Sequence, residues 1–188
     1  GVALGVVAAR FRERLPDHFA RFFALLGSSV PVFWSGLMLL FLFWIVLRWL
    51  PGPGRLAPRS EAPELVTGFF TVDSLVAGDW QKFGESLAHL VLPACVLGWA
   101  VAGVISRLVR ASMLDVLGQD FVLAARAKGA SNLRVLVNHA LRNSLIPILT
   151  IIGFSFAYLI TGAVLTESVF SWPGIGSYTV QAARSLDY

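Results

Sequence analysis

The chain has a single cysteine and few charged residues. Cys95 has no second cysteine with which to form an internal disulfide, and it lies in an apolar tract, so we interpret it as a small packing residue. Only 14% of the 188 residues are charged, whereas soluble domains carry about 25%. Because 56% of the residues are hydrophobic and the mean hydropathy is +0.73, the composition indicates an integral membrane protein and excludes an ordinary soluble fold.

The sequence also lacks the motifs of enzymatic and nucleotide-binding sites. It has no Gly-x-x-x-x-Gly-Lys-Ser/Thr loop, so we expect this chain to bind no nucleotide or other cofactor. His18, His89 and His139 are dispersed and no serine lies in a nucleophile motif, which argues against catalysis, including that of an intramembrane hydrolase. No metal-ligand spacing is present, so no metal site is predicted. The net charge of +4 is interpreted through its distribution about a membrane, with no nucleic-acid partner expected.

Three apolar tracts are long enough to cross a bilayer as helices: residues 22–47, 87–106 and 144–166. About 20 helical residues span the hydrocarbon core, and these tracts are too long for barrel strands. The sequence therefore predicts an all-α fold, a polytopic transmembrane helix bundle. Residues 1–9 are apolar but short and begin without Met, so we expect them to be the end of a further span in a partly represented chain.

Basic residues are unevenly divided among the connecting segments. Residues 10–21 carry four arginines, and residues 107–142 carry six basic residues against two acidic ones. Residues 48–86 contain five acidic and four basic residues besides several prolines and glycines. Because Lys and Arg are retained on the cytoplasmic side, segments 10–21 and 107–142 are predicted to be cytoplasmic, and segments 48–86 and 167–188 external.

Two polar or kinking residues within the tracts have alternative interpretations. Pro31 predicts a kink in the first tract, which acts either as a hinge or only in packing. His89 is either an interfacial polar residue or a proton sensor. Ala94, Gly98 and Ala102 place small residues on one face of the second tract, where another helix can approach closely.

The basic segment 107–142 has the pattern of helix, glycine turn and helix. A first short helix is predicted from Asp120, with Gly129 as its left-handed stop. Ser131 is predicted to cap a second helix. Spacing alone leaves open whether the segment docks a partner or is a solvated amphipathic loop at the membrane surface. The predicted apolar face of the second helix consists of Leu133, Leu136, Val137, Ala140 and Leu141.

Three ordered motifs resemble one family. The run Ala-Arg-Ala-Lys-Gly at 125–129, with His-Ala-Leu-Arg-Asn at 139–143 and Pro147, is similar to the cytoplasmic signature loop of permease subunits in bacterial ABC importers. The similarity is greatest to the branch that carries dipeptides, oligopeptides and nickel. The runs Ser-Ser-Val-Pro-Val-Phe-Trp at 28–34 and Glu-Ser-Val-Phe-Ser-Trp-Pro-Gly-Ile-Gly at 167–176 resemble two further hallmarks of that branch.

The resemblance implies a type I ABC permease fold in which 1–188 is a single, partial transmembrane permease domain and 107–142 is the coupling-helix loop. The first and last spans of the family would lie outside this sequence. The family commonly opens its signature with an acidic residue, whereas residues 123–125 are Leu-Ala-Ala, a departure that fits the peptide branch. The implied location is the bacterial cytoplasmic membrane, with several passes.

The same resemblance implies the partners. These are a second permease subunit, two ATP-binding subunits that hold ATP and Mg, an extracytoplasmic solute-binding protein and the lipid bilayer. The implied cargo is a di- or oligopeptide, with nickel or another small solute as the alternative, and a passive channel or scaffold subunit as a further one. The sequence leaves open whether the permease pair is a homodimer or a heterodimer.

Two sets of site residues follow from the resemblance. The external turn is interpreted as a gate or a binding-protein contact, or alternatively as an interfacial loop that ends the span. Glu167 in this turn is interpreted as solvated, paired or near the translocation path. Contacts to the ATPase subunit are assigned to Arg126, Ala127, Lys128, Gly129, Ala130, Ser131 and Arg134. The external gate or binding-protein contact is assigned to Glu167, Phe170, Trp172, Pro173 and Gly174.

Overall fold

A computed structural model describes residues 1–58, 60–162 and 164–185, with side chains described outside 160–162. Its regular elements are helices, and the all-α prediction is confirmed for this part of the chain. Of the segments predicted above, Arg59, Ala163 and residues 186–188 lie outside the described residues. The α-helices are α1 (Val2–Arg10), α2 (Leu15–Ser29), α3 (Val32–Leu40), α4 (Phe70–Val76), α5 (Trp80–Leu117), α6 (Asp120–Ala127), α7 (Asn132–Arg134), α8 (Leu145–Gly162), α9 (Val164–Val169) and α10 (Ile175–Ser185). Two π-helical segments, Phe41–Val46 and Val135–Leu141, continue α3 and α7.

The first apolar tract is interrupted at Pro31. Val30 has an extended backbone with ψ of 131°, as expected for a residue before proline, and α3 begins one residue after Pro31. The kink predicted at Pro31 within the tract 22–47 is therefore a break between two helices. The cause is local, because the proline ring disfavours helical geometry at Val30 and leaves the ring nitrogen without a proton to donate.

One described helix, α5, is long and apolar enough by itself to cross a membrane. Counting α2 with residues 32–46, and Asn132–Leu141 with Leu145–Leu159, as bent single spans raises the number to as many as three. At 38 residues, α5 extends beyond the predicted tract 87–106 at both ends. Residues 107–117, which were expected to open the connecting loop, instead continue the helix, since no proline or glycine interrupts them before Gly118.

The described residues form two compact units. The first combines Gly1–Val30 with Trp99–Ile160, and the second combines Pro31–Gly98 with the described part of 161–188. Two elements belong to both units, because α5 passes from the second to the first at residue 99 and α8 ends in the second.

The first unit is held together by close contact between α2 and the later half of α5. The Trp99 indole N–H donates to the Phe23 carbonyl at 3.0 Å, and the two rings lie 5.4 Å apart. A Cβ at Gly27 would lie 2.6 Å from Trp99, so this glycine is required by packing. No described atom lies within 4 Å of a Cβ built at Gly98, so the close helix contact predicted on this small-residue face stays a prediction.

A buried ion pair joins the same two helices. The Asp17 carboxylate, 0% exposed, accepts from Nε and Nη2 of Arg110, each at 2.7 Å. The Glu13 amide donates to the same carboxylate at 2.9 Å. Because both carboxylate oxygens have donors, the charge is compensated although Asp17 is removed from solvent. The pair therefore fixes α2 against α5 with a defined geometry.

The second unit has a smaller apolar core of Leu40, Leu92, Val96 and Phe170. Its irregular residues 48–58 and 60–69 are fixed to α5 by polar contacts. Glu85 accepts from the Ala57 amide at 2.6 Å, and the His89 Nδ1 lies 3.1 Å from the Gly54 carbonyl. His89 is 6% exposed and in the tautomer that donates from Nδ1 has a structural partner, which favours its interpretation as a polar packing residue.

Candidate functional site

The turn after α6 is closed by a Schellman motif. The Gly129 amide donates to the Arg126 carbonyl at 2.9 Å, and the Ala130 amide donates to the Ala125 carbonyl at 3.1 Å. Gly129 has φ of +84°, a left-handed conformation that glycine adopts without the penalty of a side chain. The predicted helix and glycine stop are both confirmed, since α6 ends at Ala127 with Lys128 as its C-cap.

The helix that follows is capped as the sequence predicts. Ser131 has an extended backbone, and its hydroxyl oxygen accepts from the Arg134 amide at 3.4 Å. The Val135 amide donates to the Ser131 carbonyl at 2.9 Å. Further along, the Asn143 side-chain amide donates to the His139 carbonyl at 2.7 Å, which secures the end of the π-helical segment. The turn is thus ordered on both sides by local hydrogen bonds.

The underside of this segment is packed into the core of the first unit. Val122, Val135 and Ala140 are at most 1% exposed and belong to one cluster with Val109 and Met113 of α5. Because close-packed side chains transmit displacement, the turn is mechanically connected to α5.

The predicted apolar face of the second helix was partly wrong. Leu136 and Ala140 are buried, but Leu133 is 68% and Val137 45% exposed, while Val135 is buried instead. The reason is that residues 135–141 are π-helical, so their hydrogen bonds reach one residue further than in an α-helix and the buried face changes register.

The upper side of the turn is an open, positively charged concavity of about 510 Å³. Lys128 and Arg134 are exposed, and neither forms an ion pair with any residue the structure describes. Phe121 and His139, neither of which was among the predicted coupling residues, have ring centroids 6.5 Å apart on one wall. Their separation of 18 positions in sequence hid this pairing, which depends on how α6 folds back on the π-helical segment.

The remaining predicted coupling residues have different positions. Ala130 lines the concavity beside Gly129, and Ala127 is the exposed last residue of α6. Ser131 serves as the cap described above. Arg126 lines a separate pocket together with Arg10 and Arg12. The structure therefore brings Lys128, Gly129, Ala130 and Arg134 together, and it places Arg126 apart from them.

The predicted external turn is built around Glu167. Its Oε2 accepts from the Ser177 amide at 2.6 Å, at the third residue of α10, and its carbonyl accepts from the Trp172 amide at 2.8 Å. A carboxylate at this position satisfies a helix N-terminal donor and favours the helix dipole. A Cβ at Gly174 would lie 2.5 Å from the Glu167 carboxyl carbon, so this glycine allows the acid to approach. The Glu167 carboxylate therefore has a hydrogen-bond partner, and its predicted proximity to a translocation path stays a prediction.

Phe170 of the predicted external site is buried. It is 3% exposed and packs in the core of the second unit, while its carbonyl accepts from the Gly54 amide at 2.8 Å. A side chain this buried anchors the turn and offers no surface to a soluble protein. Pro173 and Gly174 line an open concavity of about 480 Å³, whereas Trp172 is half-buried outside its lining.

Two exposed apolar residues of α10 were missed at this site. Ile175 is 77% and Tyr178 73% exposed, and both line the concavity with Pro173 and Gly174. Their spacing of three positions puts them on one helical face, a signal that was present in the sequence directly after the Trp-Pro-Gly turn.

An all-α chain with membrane-spanning composition and a capped, positively charged helix–glycine–helix turn has the features of a membrane component of a transport system. The family model described as "Binding-protein-dependent transport system inner membrane component" matches residues 1–188, and the chain belongs to this family. Its fold is accordingly the helical, membrane-embedded type I ABC permease fold.

Similar proteins include several peptide permeases. The "Di/tripeptide transport system permease protein DppB" of Pseudomonas aeruginosa is 46% identical over 188 residues, which cover 100% of this chain and 56% of that protein. The "Dipeptide transport system permease protein DppB" of Escherichia coli K12 is 42% identical over 190 residues, with the same coverage of 100% and 56%. The "Peptide transport system permease protein SapB" of Salmonella typhimurium is 38% identical over 191 residues, covering 100% of this chain and 59% of that protein. The chain thus spans little more than half the length of these relatives.

Proposed function

We propose that the chain is part of a membrane-embedded permease subunit of an ATP-driven importer. It forms part of a translocation path for di- and oligopeptides that a solute-binding protein delivers. The observation that carries this proposal is the helix–glycine–helix turn. One face of it packs against α5 through Val122 and Val135, and the opposite face is exposed and carries Lys128 and Arg134. Its family membership and the peptide-permease names of relatives sharing 38–46% of its residues support the peptide cargo over nickel.

In this proposal ATP and Mg are held by two separate ATP-binding subunits, and this chain supplies the docking element. The concavity beside Gly129 faces an ATP-binding subunit, and Lys128 and Arg134 meet acidic side chains on it. Closure of the two ATP-binding subunits displaces the turn. Because Val122 and Val135 pack against α5, that displacement reaches the membrane helices and changes the side to which the path is open.

The external turn contributes the opposite contact. Glu167 and Gly174 fix the start of α10, so Pro173, Ile175 and Tyr178 are presented on an ordered surface. This surface faces the solute-binding protein at the outer side of the bacterial cytoplasmic membrane. A second permease subunit completes the path. The chain itself crosses the membrane in several passes, and lipid surrounds its apolar faces.

The decisive experiment uses the full-length protein co-expressed with its neighbouring transport subunits and reconstituted in liposomes. We expect an ATP-binding subunit to co-purify and a labelled dipeptide to accumulate only with ATP and the solute-binding protein. Unlabelled tripeptide should compete and nickel should not. The substitutions Lys128→Glu and Arg134→Glu should weaken co-purification, whereas the matched charge reversal Arg184→Glu on α10 should leave it intact. Dipeptide accumulation that is independent of ATP would contradict the proposal and favour a passive channel.

A further inference from the structure

A second pocket lies in the first unit behind residues 128–131, which we call the coupling turn after their proposed role. It has a volume of about 260 Å³, and its polar lining consists of Arg10, Arg12, Arg126 and Asn132. The arginines come from distant parts of the sequence, because Arg10 ends α1, Arg12 follows it and Arg126 lies in the last turn of α6. The fold therefore brings Arg126 to two guanidinium groups that lie more than a hundred positions earlier in the sequence.

The positive charge of this pocket is poorly compensated. Arg12 lies 3.4 Å from Glu13, but both side chains are largely exposed, and such a pair contributes little. Arg10 and Arg126 form no ion pair with any other residue in the described ranges. Arg10 lies over the Phe11 ring at 5.4 Å, a contact that leaves its N–H donors free for an anion. Three guanidinium groups and an amide present the donors that bind phosphate oxygens.

The other wall of the pocket is apolar. Leu114 and Leu117, at the end of α5, face the pocket together with the buried Val135 and Leu136 of the π-helical segment. An apolar wall does not favour binding of a free phosphate, because burying phosphate against leucine gives no compensating hydrogen bonds. A molecule with an anionic head and an apolar body fits both walls.

We propose that this pocket binds the phosphate head of an anionic phospholipid, with the glycerol and first acyl carbons against the leucine wall. The chemistry is that of basic pockets at the cytoplasmic ends of membrane helices, where anionic lipid is available. The assignment to the cytoplasmic side rests on the proposed function. A bound lipid joins the segment around Arg10 and Arg12 to the base of the coupling turn at Arg126, so lipid composition influences how firmly the turn is held.

Native mass spectrometry of the delipidated full-length protein tests the site without requiring transport. The probes are phosphatidylglycerol, phosphatidylcholine and free glycerol phosphate, added separately. The double variant Arg10→Gln/Arg12→Gln removes two of the three charges. The matched control Arg14→Gln/Arg142→Gln removes two exposed arginines that do not line the pocket.

Wild type and the control are expected to bind one tight phosphatidylglycerol, and the Arg10/Arg12 variant to bind it about tenfold or more weakly. Phosphatidylcholine should bind weakly to all three proteins. Equal phosphatidylglycerol binding by all three proteins would overturn the site. Preference for free glycerol phosphate over the lipid would instead assign the pocket to a soluble phosphate and overturn the lipid proposal. Because no ATP-binding subunit is present in this assay, failure of ATP-driven uptake leaves its result unaffected.

Discussion

Substituting Gly129 by alanine tests whether the backbone of the coupling turn is required for ATP coupling. A Cβ at this position would meet no atom within 4 Å, so alanine introduces no clash. The cost comes from φ of +84°, which an L-residue adopts at about 1–2 kcal/mol. That cost corresponds to roughly a 5–30-fold shift from the closed turn toward opened forms. Asparagine tolerates left-handed geometry better, so Gly129→Asn should be milder.

The assay is peptide-stimulated ATP hydrolysis by the reconstituted complex with its solute-binding protein. Stimulation should fall in the order wild type, Gly129→Asn, Gly129→Ala, and the basal hydrolysis of the ATP-binding subunits should change much less. The order is diagnostic because asparagine is larger than alanine. A purely steric effect at the docking surface would give the reverse order.

Gly78 provides a control with the same backbone requirement. It has φ of +71°, a Cβ added to it would meet no atom within 4 Å, and it has its own Schellman bonds, from Gly78 to Leu75 and from Asp79 to Ser74. Gly78→Ala should therefore cost a similar free energy locally while leaving stimulation unchanged. Gly153→Ala on α8 supplies an unstrained control with equally open surroundings. Normal peptide stimulation of ATP hydrolysis in the Gly129→Ala variant would refute the reasoning about the turn. An equal loss of stimulation in the Gly78→Ala variant would refute it too.

Three further predictions concern an ion pair between α2 and α5, a carboxylate of α4 and the external turn. Asp17→Asn should lower the free energy of unfolding by about 2–3 kcal/mol because it weakens the paired bonds to Arg110. Thermal unfolding should show that Arg110→Met destabilises the Asp17→Asn variant less than it destabilises the wild type. Hydrogen bonds from Thr67 lower the pKa of Asp73 below its ordinary 3.8. The ionised Asp73 therefore contributes its full stabilisation above pH 3.8, and that stabilisation is lost as the pH falls through the lowered pKa. Hydrogen exchange at the Thr67 amide should accelerate over that fall in pH, and Asp73→Asn should abolish this pH dependence. Gly174→Ala should displace Glu167 and expose the first turn of α10 to exchange, unlike an equivalent change at Gly84, whose Cβ position is open.

The parts of the coupling turn that could be predicted are those fixed by neighbours in sequence. Gly129 and Ser131 act through bonds that reach three to five residues, so residue type and spacing are sufficient. The external turn was less accessible, because Glu167 reaches Ser177 over ten positions and the turn itself brings them together. Phe170 was assigned to the external gate or binding-protein contact through the family resemblance, and its burial was not predicted because an aromatic residue beside a Trp-Pro-Gly turn gives no indication of the core that covers it.

Contacts that join distant segments were not predictable from the single sequence. Asp17 and Arg110 are 93 positions apart, and the only local indication was an acid in an arginine-rich segment. The buried face of residues 135–141 depended on π-helical geometry, which hydrophobic spacing does not reveal because both patterns have a broad apolar side. The register was decided by packing against α5.

In the mechanism proposed above, these distant contacts connect the small, exposed turn to a membrane helix. The turn itself is held by main-chain bonds, while Val122 and Val135 fix its base to Val109 of α5. Asp17 and Arg110 then fix α2 to the same helix one position further along. In that mechanism, force applied at Gly129 is passed through these packed and ion-paired contacts to α5 and α2. A turn that were flexible at either step would absorb the motion that coupling has to transmit.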